Sequence, residues 1–549
     1  MMKKKINVNS LSFIIFISIY FATFLNIKLW SFAIANAELS NIFVLPALFF
    51  GVFIISFLFF ILFSLLTVPY IGKIIIAILL ISSAASDYCL QYLGIVINRD
   101  MIRNLVETDY GEASDFITTN FVLYVTILGI IPAIGLYFIN IVYDNFKKEI
   151  KKRALCFLGG MLIMISITPF FSKYYLSFGR NHKSLRYYFN TINYIYGVIR
   201  YYQKDVSANK EFIILDSAPT VITDKNEKPV VTVLIVGETA RAANFSLYGY
   251  NKKTNPLLEK QDIYVFKNTS SYGTSTAVSL PYMFYASEKK KFSVITAKYT
   301  QNILDIIQAT GTDIIWKDND SGCKGVCLRV SYKDVRVEKD SPHCFDDYCY
   351  DEILLNELKD ALNNIQKNTL IVLHTMGSHG PSYYKRYPAD MEKYKPVCNT
   401  NDFQQCTSEE IINAYDNTIL YTDYFISSVI DILKTKNNLQ SSMLYVSDHG
   451  ESLGEHNIYL HALPAKIAPK EQKEIPMILW LSDNLKNNMR VDSVCLREKA
   501  EKESFSHDNY AHTVLGLMRI KTTAYKENLD LLNKCWKNRT VKATDSLQE

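Results

Sequence analysis

The chain has 549 residues, 49% of them hydrophobic, and carries a formal net charge of +5 spread along its length. That length exceeds one ordinary domain, and so small and dispersed a charge gives no basis for a nucleic-acid partner. The average conceals two unlike parts: largely apolar runs up to about Phe171, then a mixed, charged, soluble sequence.

Five runs read as membrane spans: Leu11–Ile34, Ile42–Val68, Ile71–Cys89, Phe121–Ile141 and Leu155–Phe171. A spanning helix needs about 20 mainly apolar residues. The third and fifth runs are short or interrupted, and four runs after the first argue against a cleaved signal peptide. Lys3, Lys4 and Lys5 precede the first run, and Lys147, Lys148, Lys151, Lys152 and Arg153 lie between the fourth and fifth. With five spans both clusters share one side, which the positive-inside rule makes cytoplasmic, so the large C-terminal part lies outside the cytoplasm.

After the spans comes a tyrosine-rich, basic segment, "KYYLSFGRNHKSLRYYFNTINYIYGVIRYYQKD". Rings with basic tips suit the membrane–water interface, and an ordinary bridging helix pair is the plainer alternative. The expected organisation is a transmembrane domain over 1–172, interfacial or bridging helices over 173–229, and an exported domain over 230–549. In that domain "VVTVLIVGE", "NTLIVLHTMGSHG" and "SSMLYVSDHGE" are apolar strands ending at polar residues, separated by helices such as "DEILLNELKDALNNI". The alternation predicts an α/β fold with a largely parallel sheet covered on both faces. Ligands bind such sheets beyond the carboxyl ends of the strands.

Eight of the ten cysteines lie in the exported part. The close pairs Cys323/Cys327, Cys344/Cys349 and Cys398/Cys406 read as local disulfides in an oxidising compartment rather than zinc sites. Cys495–Cys535 is the remaining pairing.

Glu238 ends the first strand, and Asp448 and His449 end the third. Taken singly each is a cap or turn residue; as a set their oxygen and nitrogen donors suit one zinc ion with a position left open. His374 and His379 of "LHTMGSHGP" and His461 of "IYLHALP" could hold a phosphoryl group, donate a proton or bind a second metal. His343, His456, His507 and His512 read as structural. A metal-activated hydroxyl is a nucleophile, and "GTSTAVSLP" offers Thr274, Ser275, Thr276 and Ser279 at a turn into a helix N-terminus. Chemistry alone does not choose among them.

The order "VGETARAANFSLYGY", "GTSTAVSLP", "HTMGSHGP", "SDHGESLGE" and "IYLHALP" resembles the bacterial phosphoethanolamine transferases, which include lipid A modifying and mobile colistin-resistance enzymes. The resemblance covers essentially the whole chain. It implies an α-helical five-span membrane domain followed by an alkaline-phosphatase/sulfatase-like periplasmic domain. It also implies Thr276 as nucleophile, with Glu238, Thr276, Asp448 and His449 as ligands of one tightly bound zinc. His379 and His461 match residues that bind the phosphate or a second zinc, while Thr274, Lys324 and His374 match weaker substrate contacts. Asn104, Thr108 and Glu112, in "MIRNLVETDYGEASDF", resemble the family's pocket for the ethanolamine head group; without the resemblance they read as a solvated helix.

The implied reaction moves phosphoethanolamine from phosphatidylethanolamine to lipid A or another envelope acceptor, through a covalent phosphothreonine. The implied enzyme is a multi-pass monomer of the bacterial inner membrane with its catalytic domain in the periplasm. A phosphoglycerol transferase or sulfatase on the same fold is the alternative enzyme, although "TSTAVSLP" lacks the sulfatase Cys/Ser-x-Pro-x-Arg pattern. A membrane receptor or transporter is the non-enzymatic alternative. One departure is visible. Some relatives flank the nucleophile loop with a cysteine pair, where Tyr272 and Tyr282 stand here, so packing is expected to hold it.

Overall fold

The structure, a computed structural model, describes residues 5–37, 42–108, 110–206, 211–222, 227–337, 341–345, 348–363 and 365–536. The chain divides into two compact units, Met1–Ile102 with Ile117–Tyr201, and Arg103–Phe116 with Tyr202–Glu549. The loop Arg103–Phe116, which follows the third span, thus belongs with the second unit.

In the first unit, the described residues include four helices long and apolar enough to cross a membrane: Val44–Leu66, Gly72–Leu93, Thr119–Phe138 and Phe146–Asn181. The pair Ser10–Thr23 and Ile27–Ala35, bent by 54°, is long and apolar enough only when taken together, as a broken span or a re-entrant loop. The run expected as one span from Leu11 is therefore broken near Asn26. Carbonyls freed by such a bend need partners in hydrocarbon. Asn26 donates to Phe21 O, and Asn190 donates to Leu25 O and Ser83 O, each at 2.8 Å. The expected fifth span is the middle of a 36-residue helix, Phe146–Asn181, whose first two turns carry the basic cluster. There Arg153 donates to Ser64 O at 2.6 Å and Thr67 O at 3.1 Å, capping the end of Val44–Leu66. The tyrosine-rich segment beyond is helical again over Asn190–Tyr201.

The second unit is built on a seven-stranded sheet in the order Ile263–Val265, Met477–Leu481, Gln440–Ser447, Val230–Gly237, Thr369–His374, Asp313–Asp318, Ser331–Asp334. The last five run parallel, while Met477–Leu481 is antiparallel to both its neighbours. Val230–Gly237, Thr369–His374 and Gln440–Ser447 are buried along their whole length, which is why they read as unbroken apolar runs. The 27-residue helix Ser408–Lys434 opens with a capping box in which Thr407 and Glu410 satisfy each other's backbone N–H groups.

Register brings the chemistry together. Gly237 pairs with Ser447, and Val236 with His374, so Glu238, Asp448 and the "HTMGSH" segment emerge side by side. All four expected disulfides are formed: Cys323–Cys327, Cys344–Cys349, Cys398–Cys406 and Cys495–Cys535. The remaining cysteines, Cys89 and Cys156, are free.

Candidate active site and metal centre

Glu238 leaves its strand through a tight turn. Thr239 takes φ +58°, a left-handed conformation that a β-branched residue rarely adopts. Its N–H donates to Asp448 Oδ1 at 3.1 Å and its hydroxyl to Glu238 Oε1 at 2.5 Å. The "TMGSH" segment crosses over this turn at Gly377, where φ is +51° and a Cβ would stand 2.7 Å from the Glu238 carbonyl oxygen. Only glycine fits there.

Thr276 opens the helix Thr276–Met283. Its Oγ1 donates to Glu238 Oε2 at 3.0 Å and lies 3.4 Å from His449 Nε2. Two other hydroxyls of the turn are committed elsewhere. Thr274 donates to Leu463 O at 2.6 Å, pinning the "HALP" loop, and Ser279 Oγ accepts from Gly273 N at 3.2 Å. Tyr272 and Tyr282 stack with ring centroids 3.7 Å apart and planes 13° apart. Tyr282 donates to Asp508, which pairs with Lys289 at 2.8 Å. His507 bridges this turn to the sheet: Nδ1 accepts from Tyr272 N at 3.2 Å and Nε2 donates to Ser447 O at 3.0 Å. An aromatic pair contributes about 0.5–1.5 kcal/mol beyond its buried area. Tyr272→Ala is therefore expected to lower the turnover rate about tenfold, while Tyr272→Phe keeps it within about twofold; steady-state assay of the two variants checks this.

The electrostatics call for a cation. Glu238, Asp448 and His449 are completely buried. Burial, then the neighbouring Asp448, holds the Glu238 carboxyl well above the usual range, and burial pushes Asp448 up to about 7. Asp448 Oδ2 makes no hydrogen bond. His449 Nδ1 donates to Gly450 O at 2.9 Å, so the lone pair of Nε2 faces Asp448 Oδ2 at 3.3 Å and Glu238 Oε1 at 3.5 Å. Burial, then His461, keeps that imidazole neutral, with its pKa lowered to about 4. A lone pair aimed at two buried carboxylates is a repulsive arrangement that a divalent cation resolves. The residues present therefore fit a metal ion.

Two neighbouring groups extend this centre. Glu238, Asp320 and His374 form one, and His449, Glu451 and His461 the other; within each, the ligand atoms lie within 4.8 Å of one another. Asp320 is buried with neither carboxylate oxygen hydrogen-bonded. His374 sits between Asp318 Oδ2 at 3.1 Å and Asp320 Oδ2 at 3.5 Å. Burial pulls its pKa down, but Asp318 and Asp320 outweigh that and carry it up to about 9. Glu451 holds His461 Nδ1 at 2.9 Å and accepts from Tyr383 OH at 2.9 Å. The His461 ring lies 4.3 Å from that of His449 and 5.9 Å from that of His379. Burial lowers the pKa of His379 to about 3 and of His461 to about 4, leaving both imidazoles neutral.

Glu238, Thr276, His374, His379, Asp448, His449 and His461 are thus gathered in one place. Asp320 and Glu451 were not singled out from sequence. Glu451 stands within "SDHGES", and Asp320 follows a strand in "WKDND", where it reads as a turn residue. The loop residues are more scattered in role. Asn104 Oδ1 is buried without a hydrogen-bond partner, and Thr108 donates to Asn104 O at 2.6 Å. The side chain of Glu112 lies outside the described residues. Lys324 donates to Ser321 Oγ at 2.6 Å and reaches Glu107 O at 3.4 Å, one residue before Thr108.

Two family models match the chain, one described as phosphoethanolamine transferase EptA/EptB over residues 55–206 and one as sulfatase over residues 231–520. The chain is 35% identical over 536 residues to phosphoethanolamine transferase EptA of Escherichia coli (strain K12), covering 97% of this chain and 98% of that protein. It is 36% identical to phosphatidylethanolamine transferase Mcr-1 of Escherichia coli, covering 83% and 85% of the two chains. Among solved structures, the integral membrane protein lipooligosaccharide phosphoethanolamine transferase A (EptA) from Neisseria meningitidis superposes with a TM-score of 0.93 at 36% identity, covering 97% of this chain and all of that one.

Proposed function

The chain belongs to the phosphoethanolamine transferase family, and from that premise we propose that it carries phosphoethanolamine from phosphatidylethanolamine to a phosphate of lipid A, with Thr276 as nucleophile. The observation that carries this reading is the Thr276 hydroxyl, 3.0 Å from Glu238 and 3.4 Å from His449, against a buried carboxylate oxygen without a partner. Glu238, Asp448, His449 and Thr276 would hold zinc. Bound there, zinc lowers the pKa of a hydroxyl and polarises a phosphoryl oxygen.

The Thr276 hydroxyl already donates to Glu238, so its proton has an acceptor as Oγ1 attacks. The new bond joins Oγ1 to phosphorus, and the bond from phosphorus to the glycerol oxygen breaks. Diacylglycerol leaves after that oxygen takes a proton from solvent, which the acceptor phosphate's own proton replaces in the second half. Backbone N–H groups at the start of Thr276–Met283 face the phosphoryl oxygens. His379 and His461, both neutral, hold the phosphoryl group or, with Asp320 and His374 nearby, a second ion. In the second half an acceptor phosphate oxygen attacks the same phosphorus, and Thr276 recovers its proton. Splitting the transfer lets donor and acceptor use one site in turn. Asn104, Thr108 and Glu112 receive the donor's ammonium group.

This reading makes the chain a multi-pass monomer of the bacterial inner membrane, with the catalytic unit in the periplasm. Mass spectrometry of lipid A from cells with and without the gene is expected to show phosphoethanolamine added only when the gene is present. Unmodified lipid A alongside phosphoethanolamine on another glycan or a protein would replace the acceptor and leave the chemistry standing.

A further inference from the structure

The loop Arg103–Phe116, which carries Asn104, Thr108 and Glu112, is tied to the catalytic unit at both ends. At one end Glu107 Oε1 pairs with Lys298 Nζ at 2.9 Å, and its carbonyl faces Lys324 Nζ at 3.4 Å. At the other, Asp115 pairs with Lys385 and Arg386, each at 3.1 Å, and its carbonyl accepts from Asn401 Nδ2 at 2.8 Å. Each clamp stands partly on a short disulfide loop. Lys324 lies between Cys323 and Cys327, and Asn401 between Cys398 and Cys406.

The two clamps differ in burial. Side-chain exposures at the Glu107–Lys298 pair are 18% and 32%, against 8% and 4% at Asp115–Arg386. An exposed pair is weakened by solvent, whereas a buried one that loses a partner leaves a stranded charge. Arg386 also bonds twice: Nη2 donates to Asp115 while Nε donates to His379 O at 2.8 Å. A guanidinium is planar and rigid, so those two bonds constrain each other. One arginine therefore links the head-group loop to the backbone of a histidine at the phosphoryl site.

We propose that Asp115 is a positioning residue that, through Arg386, sets the distance between the ammonium-binding loop and His379. This rests on the function proposed above. The consequence is donor selectivity: the loop measures the span from phosphorus to ammonium only while the clamp holds it against His379. Asp115 touches no reacting atom.

The test uses full-length protein in detergent, with phosphatidylethanolamine as donor and phosphoenzyme formation as the readout. Asp115→Ala is expected to raise the donor KM at least tenfold while the saturated rate falls less than threefold. Asp115→Glu is expected to restore most of the loss. An unchanged KM, or an equal loss in Asp115→Ala and Asp115→Glu, would overturn the proposal. Should the alanine variant fail to accumulate, Asp115→Asn preserves shape and carries the same expectation. Thr276→Ala, run beside them, separates the two readings: phosphoenzyme persisting in that variant removes the mechanism, whereas a wild-type KM in the Asp115 variants removes only the positioning role.

Discussion

Thr276→Ala is expected to abolish the covalent phosphoenzyme and to lower transfer by roughly a thousandfold or more. The reason is local. The Thr276 hydroxyl meets Glu238 and His449, whereas Thr274 is bound to the Leu463 carbonyl and Ser279 engages Gly273. The change removes a small side chain from a helix start and leaves the Glu238–Thr239–Asp448 turn in place, so the folded protein is expected to accumulate normally. Thr276→Ser, retaining the hydroxyl without the methyl group, is expected to keep measurable activity. Intact-mass measurement after incubation with phosphatidylethanolamine reads the first outcome, and lipid analysis reads the second. A phosphoenzyme in the alanine variant would remove Thr276 from the mechanism.

Asp448→Asn separates what the buried carboxylate does for metal binding from what it does for the fold. Asp448 Oδ1 accepts from the N–H groups of Thr239 and His449 at 3.1 and 2.7 Å, and an asparagine oxygen can take both. Oδ2 makes no hydrogen bond and lies 3.3 Å from His449 Nε2. An asparagine NH2 there would donate to that lone pair. Zinc content, measured by elemental analysis of the full chain, is expected to fall from near stoichiometric to a small fraction, and transfer by roughly a hundredfold or more. The metal-free variant, by contrast, is expected to be more stable than metal-free wild type by on the order of 1 kcal/mol, because a buried carboxylate oxygen without a hydrogen bond is replaced by an NH2 that has an acceptor in His449 Nε2. A metal-free variant less stable than metal-free wild type would show that Asp448 is held by packing rather than kept under strain for a cation.

Much of this was legible in the chain because the constraints are strong. Hydrocarbon demands long apolar runs, so the spans stand out. A sheet covered on both faces makes apolar strands whose ends are abrupt, so Glu238, His374, Asp448 and His449 are conspicuous. What stayed hidden depended on distant partners. The bend in the first span needs Asn190, far along the chain, to satisfy the carbonyls near Asn26. Asp320 looks like a turn residue until its burial, and the lack of a hydrogen bond on either carboxylate oxygen, are known. Glu451 sits inside a conspicuous motif, but its grip on His461 and Tyr383 is a tertiary fact. Local chemistry left four hydroxyls as equals, and family resemblance chose Thr276. The contacts of Thr276 with Glu238 and His449 supply the physical ground for that choice.

The imidazole of His507, lodged between Tyr272 N and Ser447 O, acts as a spacer of fixed length. On one side stands the turn that ends at Thr276, the proposed nucleophile; on the other, the strand that ends at Asp448 and His449, the proposed metal ligands. An aromatic ring neither stretches nor folds, so the gap between the Thr276 turn and the Asp448–His449 strand end is gauged by a part that lies between their backbones. Tolerance for error in that gap is therefore set outside the reaction centre, and substitutions there would register as lost alignment rather than lost chemistry.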